Sequence, residues 1–246
     1  MISILILSYN APIFTKHTLT KLQQTKYVEF EVIVLDNNSN IPTKKMLIEM
    51  KKNGYIDKLI LETENKLFAK GNNIAFQHCS PGSDYVLLLN SDIDIRDDTW
   101  LSKLFKIHKK GATAYGVCEN NPVTRGDGFC FLIDKDLYAK YKLDEEFEWW
   151  WAVTKLQAQL LNNGFTVTAV RNFAELLHHY GGMSGQAWKT AKGMKIEGEK
   201  IKTWYDNAVS NPVIIDKISG EKNIYSPLSL TNVVAFLKNI NKKIFK

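Results

Sequence analysis

Two carboxylates two residues apart, Asp92 and Asp94, follow the apolar run Leu87-Leu88-Leu89. Aspartate oxygens at a strand end suit a hard divalent cation, Mn²⁺ or Mg²⁺. A cation so held can bridge a diphosphate and take up the charge of a leaving group. The ordinary alternative is helix capping, but Asp97 already stands before the next helical pattern, which leaves Asp92 and Asp94 wanting another role. His179 precedes Gly181-Gly182. An imidazole there can ligate a metal, donate to a phosphate or be purely structural, with His178 as the competitor for the buried position. The glycines let backbone approach a ligand closely. Asp36 ends another apolar run; its carboxylate can accept from a base N–H or ribose hydroxyls, or close an Asx turn within Asp36-Asn37-Asn38-Ser39. Residues 65–73 read as a loop that closes over a nucleotide, with Lys70 offered to a phosphate and Gly71 free to take an unusual backbone angle. The spacing is not that of a P-loop. Trp149-Trp150-Trp151 offers aromatic faces to a sugar or base. Consecutive residues point different ways, so one or two line a cleft and at least one is core.

The elements that position these groups are legible as alternation. Apolar runs at 2–7, 31–35, 56–61 and 85–89 alternate with helical patterns opening near Pro12, Pro42 and Asp97 and with a short one ending near Cys79. That order predicts βαβ units and a mainly parallel sheet buried on both faces. Ligands of such sheets sit beyond the carboxyl ends of the strands. Ser8-Tyr9-Asn10, Asp36-Asn37-Asn38-Ser39 and Asn90-Ser91-Asp92-Ile93-Asp94 should therefore converge on one crevice. Further strands are expected at 128–133 and 166–170, with a helix between them through Leu156, Leu160 and Leu161.

The chain has 246 residues, 45% hydrophobic and 24% charged, which excludes disorder and coiled coil. No run of about 18 apolar residues marks a membrane span, and the N-terminus reads as a first strand rather than a signal peptide. Cys79, Cys118 and Cys130 have no metal-site spacing and read as reduced thiols of a cytoplasmic protein. The net charge of +6 is uneven: residues 1–185 hold 21 basic and 21 acidic side chains, and residues 186–246 hold 11 and 5. A basic tail on a neutral body suits an anionic partner such as a membrane or nucleic acid, or serves as a solubilising face. Residues 232–246 read as a basic amphipathic helix, packed on the domain or laid on the inner face of a membrane.

The ordered clusters Ser8-Tyr9-Asn10, Asp36-Asn37-Asn38-Ser39, residues 65–73, Asn90-Ser91-Asp92, residues 128–133, residues 143–147 and His178-His179 together resemble the GT-A fold, family-two-like glycosyltransferases. The resemblance covers roughly residues 1–185 and leaves 186–246 as a basic, helical extension. It implies a three-layer α/β/α sandwich and metal-assisted, inverting transfer of a sugar from a nucleoside-diphosphate sugar. The acceptor would be a hydroxyl of a glycan, a lipid-linked molecule, a protein or a modified nucleic acid. It implies that Ser8, Tyr9, Asn10, Asp36, Asn38, Asn65, Lys70, Gly71, Asn72 and Asn90 line the nucleotide-sugar site. Asp92, with Asp94, and His179 would hold Mn²⁺ or Mg²⁺, and Gly128, Phe129, Trp150 and Trp151 would face the acceptor.

One departure bears on the mechanism. The family's acidic motif after this stretch supplies the general base, and its two acidic positions are Val153 and Lys155 here. Neither readily takes a proton from an attacking hydroxyl. Either a nearby carboxylate substitutes (Glu148, Glu146 or Asp127), or the acceptor needs no protein base, or the chain binds nucleotide without turnover.

Overall fold

A computed structural model of the chain describes residues 1–183, 191–205 and 211–220. The elements run β1 (Ile2–Ser8), α1 (Pro12–Leu22), β2 (Phe30–Asp36), α2 (Ile41–Lys52), β3 (Lys58–Leu61), α3 (Leu67–Phe76), β4 (Tyr85–Asn90), β5 (Ile93–Ile95), α4 (Trp100–Lys106), β6 (Gly111–Tyr115), β7 (Val117–Cys118), β8 (Arg125–Gly126), β9 (Cys130–Asp134), α5 (Lys135–Tyr141), α6 (Trp151–Asn162), β10 (Thr166–Asn172), β11 (Leu177–His179), α7 (Gly198–Lys202) and β12 (Val213–Lys217).

Eight strands form one sheet in the order β12-β10-β6-β9-β4-β1-β2-β3. All neighbours are parallel except β9, which runs antiparallel between β4 and β6. The β-branched and leucine-rich run of β1 is buried along its length because both faces are covered. Alternation sorts the residues. Ile4, Ile6, Val32, Val34, Leu87 and Leu89 face Leu19, Leu22, Leu47, Met50, Trp100 and Leu104 of α1, α2 and α4. Leu5, Ile33, Leu35, Val86 and Leu88 face Ala69, Ala75, Leu137, Tyr138, Leu156 and Leu160 of α3, α5 and α6. Two apolar layers on one sheet make the expected α/β/α sandwich, and truncating any of these buried leucines or isoleucines to alanine costs about 2–5 kcal/mol.

Prolines open the first two helices, where a missing N–H is harmless. Asn40 caps α2 by accepting from the Thr43 N–H at 3.1 Å. Two sequence expectations change. Residues 68–73 are helical rather than a loop, because α3 begins at Leu67. The extension after residue 185 is not wholly helical: β12 pairs with β10 as the sheet's edge strand. The helix expected at 232–246 lies outside the described residues.

The amino end of the sheet is tied by Glu31. Its buried carboxylate accepts from Ser3 Oγ at 2.6 Å, Ser80 N–H at 2.7 Å, Ser80 Oγ at 2.7 Å and Lys58 Nζ at 2.8 Å. Burial alone would raise its pKa, but the Lys58, Ser3 and Ser80 contacts outweigh burial and hold it at about 2. A depressed carboxylate contributes stability above its unfolded pKa, near 4.5, and loses it as pH falls toward 2. Glu31→Gln is therefore expected to lower the melting temperature at pH 7 by about 5 °C. Thermal melts across pH should show that gap closing between pH 4.5 and 2.

Candidate functional site

The polar ends of β1, β2 and β4 converge as expected on a cavity of about 280 Å³. Its wall includes Leu7, Tyr9, Asn37, Asn65, Phe68, Asn72, Leu89, Asn90, Asp92, Asp127, Gly128, Phe129, Trp149, Trp150, Val153 and His179.

A two-stranded antiparallel sheet makes the polar floor. β5 pairs with β11, setting His179 opposite Ile93, and Tyr180 N–H donates to the Asp92 carbonyl at 3.1 Å. This register brings His179 Nε2 to 3.2 Å from Asp92 Oδ1 and 3.1 Å from Asn90 Nδ2. The His179 ring stacks on Phe129, centroids 4.6 Å apart and planes at 19°. Helix α1 fixes β5 from behind. Thr18 Oγ1 lies 2.9 Å from the carbonyls of Ser91 and Ile93 and accepts from the Ile93 N–H at 3.0 Å. Asp92 is 6% exposed and opens to the cavity, so one carboxylate and one imidazole stand side by side at its floor. Two such donors would suit Mn²⁺ or Mg²⁺, although no group of three or more metal-ligating side chains occurs among the described residues.

Asp94 does not join them. It is 1% exposed and lies off the cavity wall, its Oδ1 2.9 Å from His17 Nε2 and its Oδ2 3.3 Å from Arg96 Nε. Burial opposes its charge, and the His17 and Arg96 contacts more than offset that, so its pKa lies below the ordinary carboxylate value. Asp94 lies within β5 whereas Asp92 stands in the bend before it, so the two do not share a face as residues two apart in one continuous strand would.

Asp36 is fully buried beside Ser8. Its Oδ2 closes the Asx turn, accepting from the Ser39 N–H at 3.0 Å, and its Oδ1 is buried with no hydrogen-bond partner. The contacts present are those of the turn, and Asp36 is not on the cavity wall. Tyr9 lines the cavity, whereas Ser8 lies 3.5 Å from Thr15 Oγ1 in the core. Asn10 stitches the loops before α1 and α2: its N–H donates to Ser39 Oγ and its Oδ1 accepts from the Asn40 N–H. Asn38 is exposed and accepts from Lys44 Nζ at 2.9 Å. Neither asparagine is on the wall.

Asn65 and Asn72 are on the wall, but Lys70 is exposed on α3 and off it. Gly71 is helical; a Cβ there would come within 3.1 Å of Leu7 Cδ1, so its smallness lets α3 pack on β1. The left-handed residue of this segment is Leu67, at φ 57°. Its carbonyl accepts from Asn37 Nδ2 at 3.3 Å, while Asn37 Oδ1 accepts from the Lys66 N–H at 3.1 Å. Asn37 and Phe68 are wall residues that the sequence reading passed over.

On the acceptor side Gly128, Phe129 and Trp150 line the cavity, joined by Trp149. Trp151 turns away under the Arg125 guanidinium, 5.1 Å from its ring centre. Of the three carboxylates considered as a base, Asp127 alone is on the wall, and its Oδ1 accepts from the Gly128 N–H at 2.7 Å. Glu148 Oε2 accepts from the Lys192 N–H at 2.6 Å, and Glu146 pairs with Lys192 Nζ at 2.6 Å. Both are thereby committed to residues 191–193. Val153 sits on the wall against Gly128. Lys155 pairs with Asp144 and lies over the rings of Phe147 and Trp204.

A family model described as Glycosyl transferase family 2 matches residues 3–151. Comparison with curated protein sequences finds no match. Among solved structures, the mannosyltransferase PcManGT from Pyrobaculum calidifontis, in complex with GDP-Man and Mn²⁺, superimposes with a TM-score of 0.59 at 15% identity, covering 68% of this chain and 53% of that one. TarS residues 1–349 from S. aureus, in complex with UDP, gives 0.53 at 17% identity, covering 68% and 57%. The chain thus spans little more than half the length of these proteins, and the likeness is one of GT-A-like fold. With its match extending over more than half of the sequence, the chain belongs to glycosyl transferase family 2.

Proposed function

We propose that the chain transfers a sugar from a nucleoside-diphosphate sugar to an acceptor hydroxyl, with inversion. The observation that carries this reading is the Asp92–His179 pair at the floor of a cavity beyond the carboxyl ends of β1, β2 and β4. Family membership and the GDP-Man, Mn²⁺ and UDP complexes of its structural neighbours support the donor class. Residues 1–185 form the transferase domain in this reading and 186–246 a basic extension, of which Lys192 holds Glu146 and Glu148 beside the site.

In this reading the nucleoside lies toward Tyr9, Asn37 and Asn65, and Asp36, fully buried behind this wall with its Oδ1 unpartnered, accepts from the base or ribose once nucleotide binding uncovers it. Asp92 and His179 would hold Mn²⁺ or Mg²⁺, which would supply positive charge for the departing diphosphate. Trp149 and Trp150 give the sugars flat apolar faces, and Phe129 holds the imidazole in place by stacking. Asp127 is the general base. Its Oδ1 takes the Gly128 N–H, and its Oδ2 makes no hydrogen bond among the described residues. A carboxylate so placed takes the acceptor proton as the hydroxyl attacks the anomeric carbon from the face opposite the diphosphate.

Val153 on the cavity wall favours a second reading, a nucleotide binder without turnover. The two separate by kinetics. Asp127→Asn should lower kcat roughly 10²–10⁴-fold with little change in donor KM, measured as nucleoside diphosphate released. Equal rates for wild type and Asp127→Asn would remove Asp127 from the reaction. Turnover appearing only in Val153→Asp would make the natural chain the binder.

Donor binding is tested separately by melting the protein with UDP, GDP, CDP or dTDP, each with and without Mn²⁺. One nucleotide should raise the melting temperature by several degrees in a metal-dependent way, and Asp92→Asn should abolish that rise. No rise with any nucleotide would contradict the donor site.

A further inference from the structure

A second surface lies beside the cavity mouth. The turn built by Asn10, Ser39 and Asn40 joins the amino ends of α1 and α2, one residue beyond Tyr9 and two beyond Asn37 on the cavity wall. Just past this turn, Ile13 is 52% exposed and Ile41 is 69% exposed; Ile48, two turns on, is 52% exposed. An isoleucine this open leaves most of its apolar surface in water.

The charges on the stripe they occupy are of one sign, with the exposed Glu49 beside it. Along α2, Ile41, Lys45, Ile48 and Lys52 fall at steps of four, three and four, which places them on one narrow stripe. That stripe lies opposite the buried Thr43, Leu47 and Met50. On α1, Lys16 stands one turn from Ile13 and is exposed. Lys16, Lys45 and Lys52 have no ion-pair partner among the described residues, and Glu49 is the only acidic residue of α2.

We infer that this α1–α2 face docks on an anionic lipid surface, with Ile13, Ile41 and Ile48 entering the headgroup layer and Lys16, Lys45 and Lys52 meeting lipid phosphates. Alternating isoleucine and lysine on a face left exposed among the described residues fits a surface that is apolar beneath and negative above. Charge argues against the chain's own C-terminus as the occupant, since residues 186–246 are themselves basic. A nucleic acid would engage the lysines but leave three isoleucines in water. The docking stands independently of the transfer reading; resting on that reading, it sets the cavity mouth at the membrane and selects lipid-linked acceptors.

The test is cosedimentation of the full chain with vesicles of phosphatidylglycerol and phosphatidylcholine, against phosphatidylcholine alone. Wild type should bind the anionic vesicles and lose binding in high salt. Ile41→Ser with Ile48→Ser should weaken binding at least tenfold, as should Lys16→Ser with Lys45→Ser and Lys52→Ser, with melting temperatures unchanged because all five side chains are in solvent. A control with Lys238, Lys242 and Lys243 changed to Ser should retain binding. No binding by wild type, or loss only in that control, would overturn the inference. So would duplex DNA binding that competes with the vesicles and ignores the isoleucine changes.

Discussion

The candidate site rests on the pairing of two three-residue strands. β5 and β11 come from distant parts of the chain, and their antiparallel register is what puts His179 against Asp92. Strands this short are marginal by themselves, so the pairing borrows its order from neighbours. Thr18 of α1 holds the Ser91 and Ile93 carbonyls, and the buried Asp94 binds His17 on one side and Arg96 on the other. Arg96 in turn donates to the Ala174 carbonyl ahead of β11. Asp94 thus serves the site as an anchor, keeping its neighbour two residues away aimed into the cavity.

The remaining walls follow from strand direction. Because β1, β2 and β4 run parallel, their polar carboxyl ends gather at one edge of the sheet. The antiparallel β9 brings Asp127, Gly128 and Phe129 to that same edge from the opposite direction. The far edge is tied by Glu31, Ser3, Ser80 and Lys58. The Glu31 network thus sits at the end of the sandwich opposite the ligand-facing polar residues.

The parallel sheet and its strand-end clusters were legible in the sequence because continuous apolar, β-branched runs are local signals, whereas the pairing of Asp92 with His179 was implied only by the family resemblance. What was not legible depended on direction. Asp92 and Asp94 look equivalent in sequence, and only the bend that keeps Asp92 out of β5 sends one to the cavity and the other to His17. Glu146, Glu148 and Asp127 were interchangeable until the chain after residue 190 returned to take both glutamates through Lys192. Asn37 was hidden between the more suggestive Asp36 and Asn38, although it is the residue that shapes the wall by holding Lys66 and Leu67. The reading of residues 68–73 as a loop failed because Gly71 signals both flexibility and close packing, and here Leu7 requires the second.

The central claim is that a diphosphate sits on the Asp92–His179 pair with its nucleoside toward Tyr9 and Asp36. A crystal structure of the full chain with Mn²⁺ and the best-stabilising nucleoside diphosphate tests this most directly. The account predicts metal density bonded to Asp92 and His179, diphosphate oxygens on that metal, and the base or ribose within hydrogen-bond distance of Asp36 Oδ1. A nucleotide bound elsewhere, or one bound in this cavity with the metal away from Asp92, would contradict it.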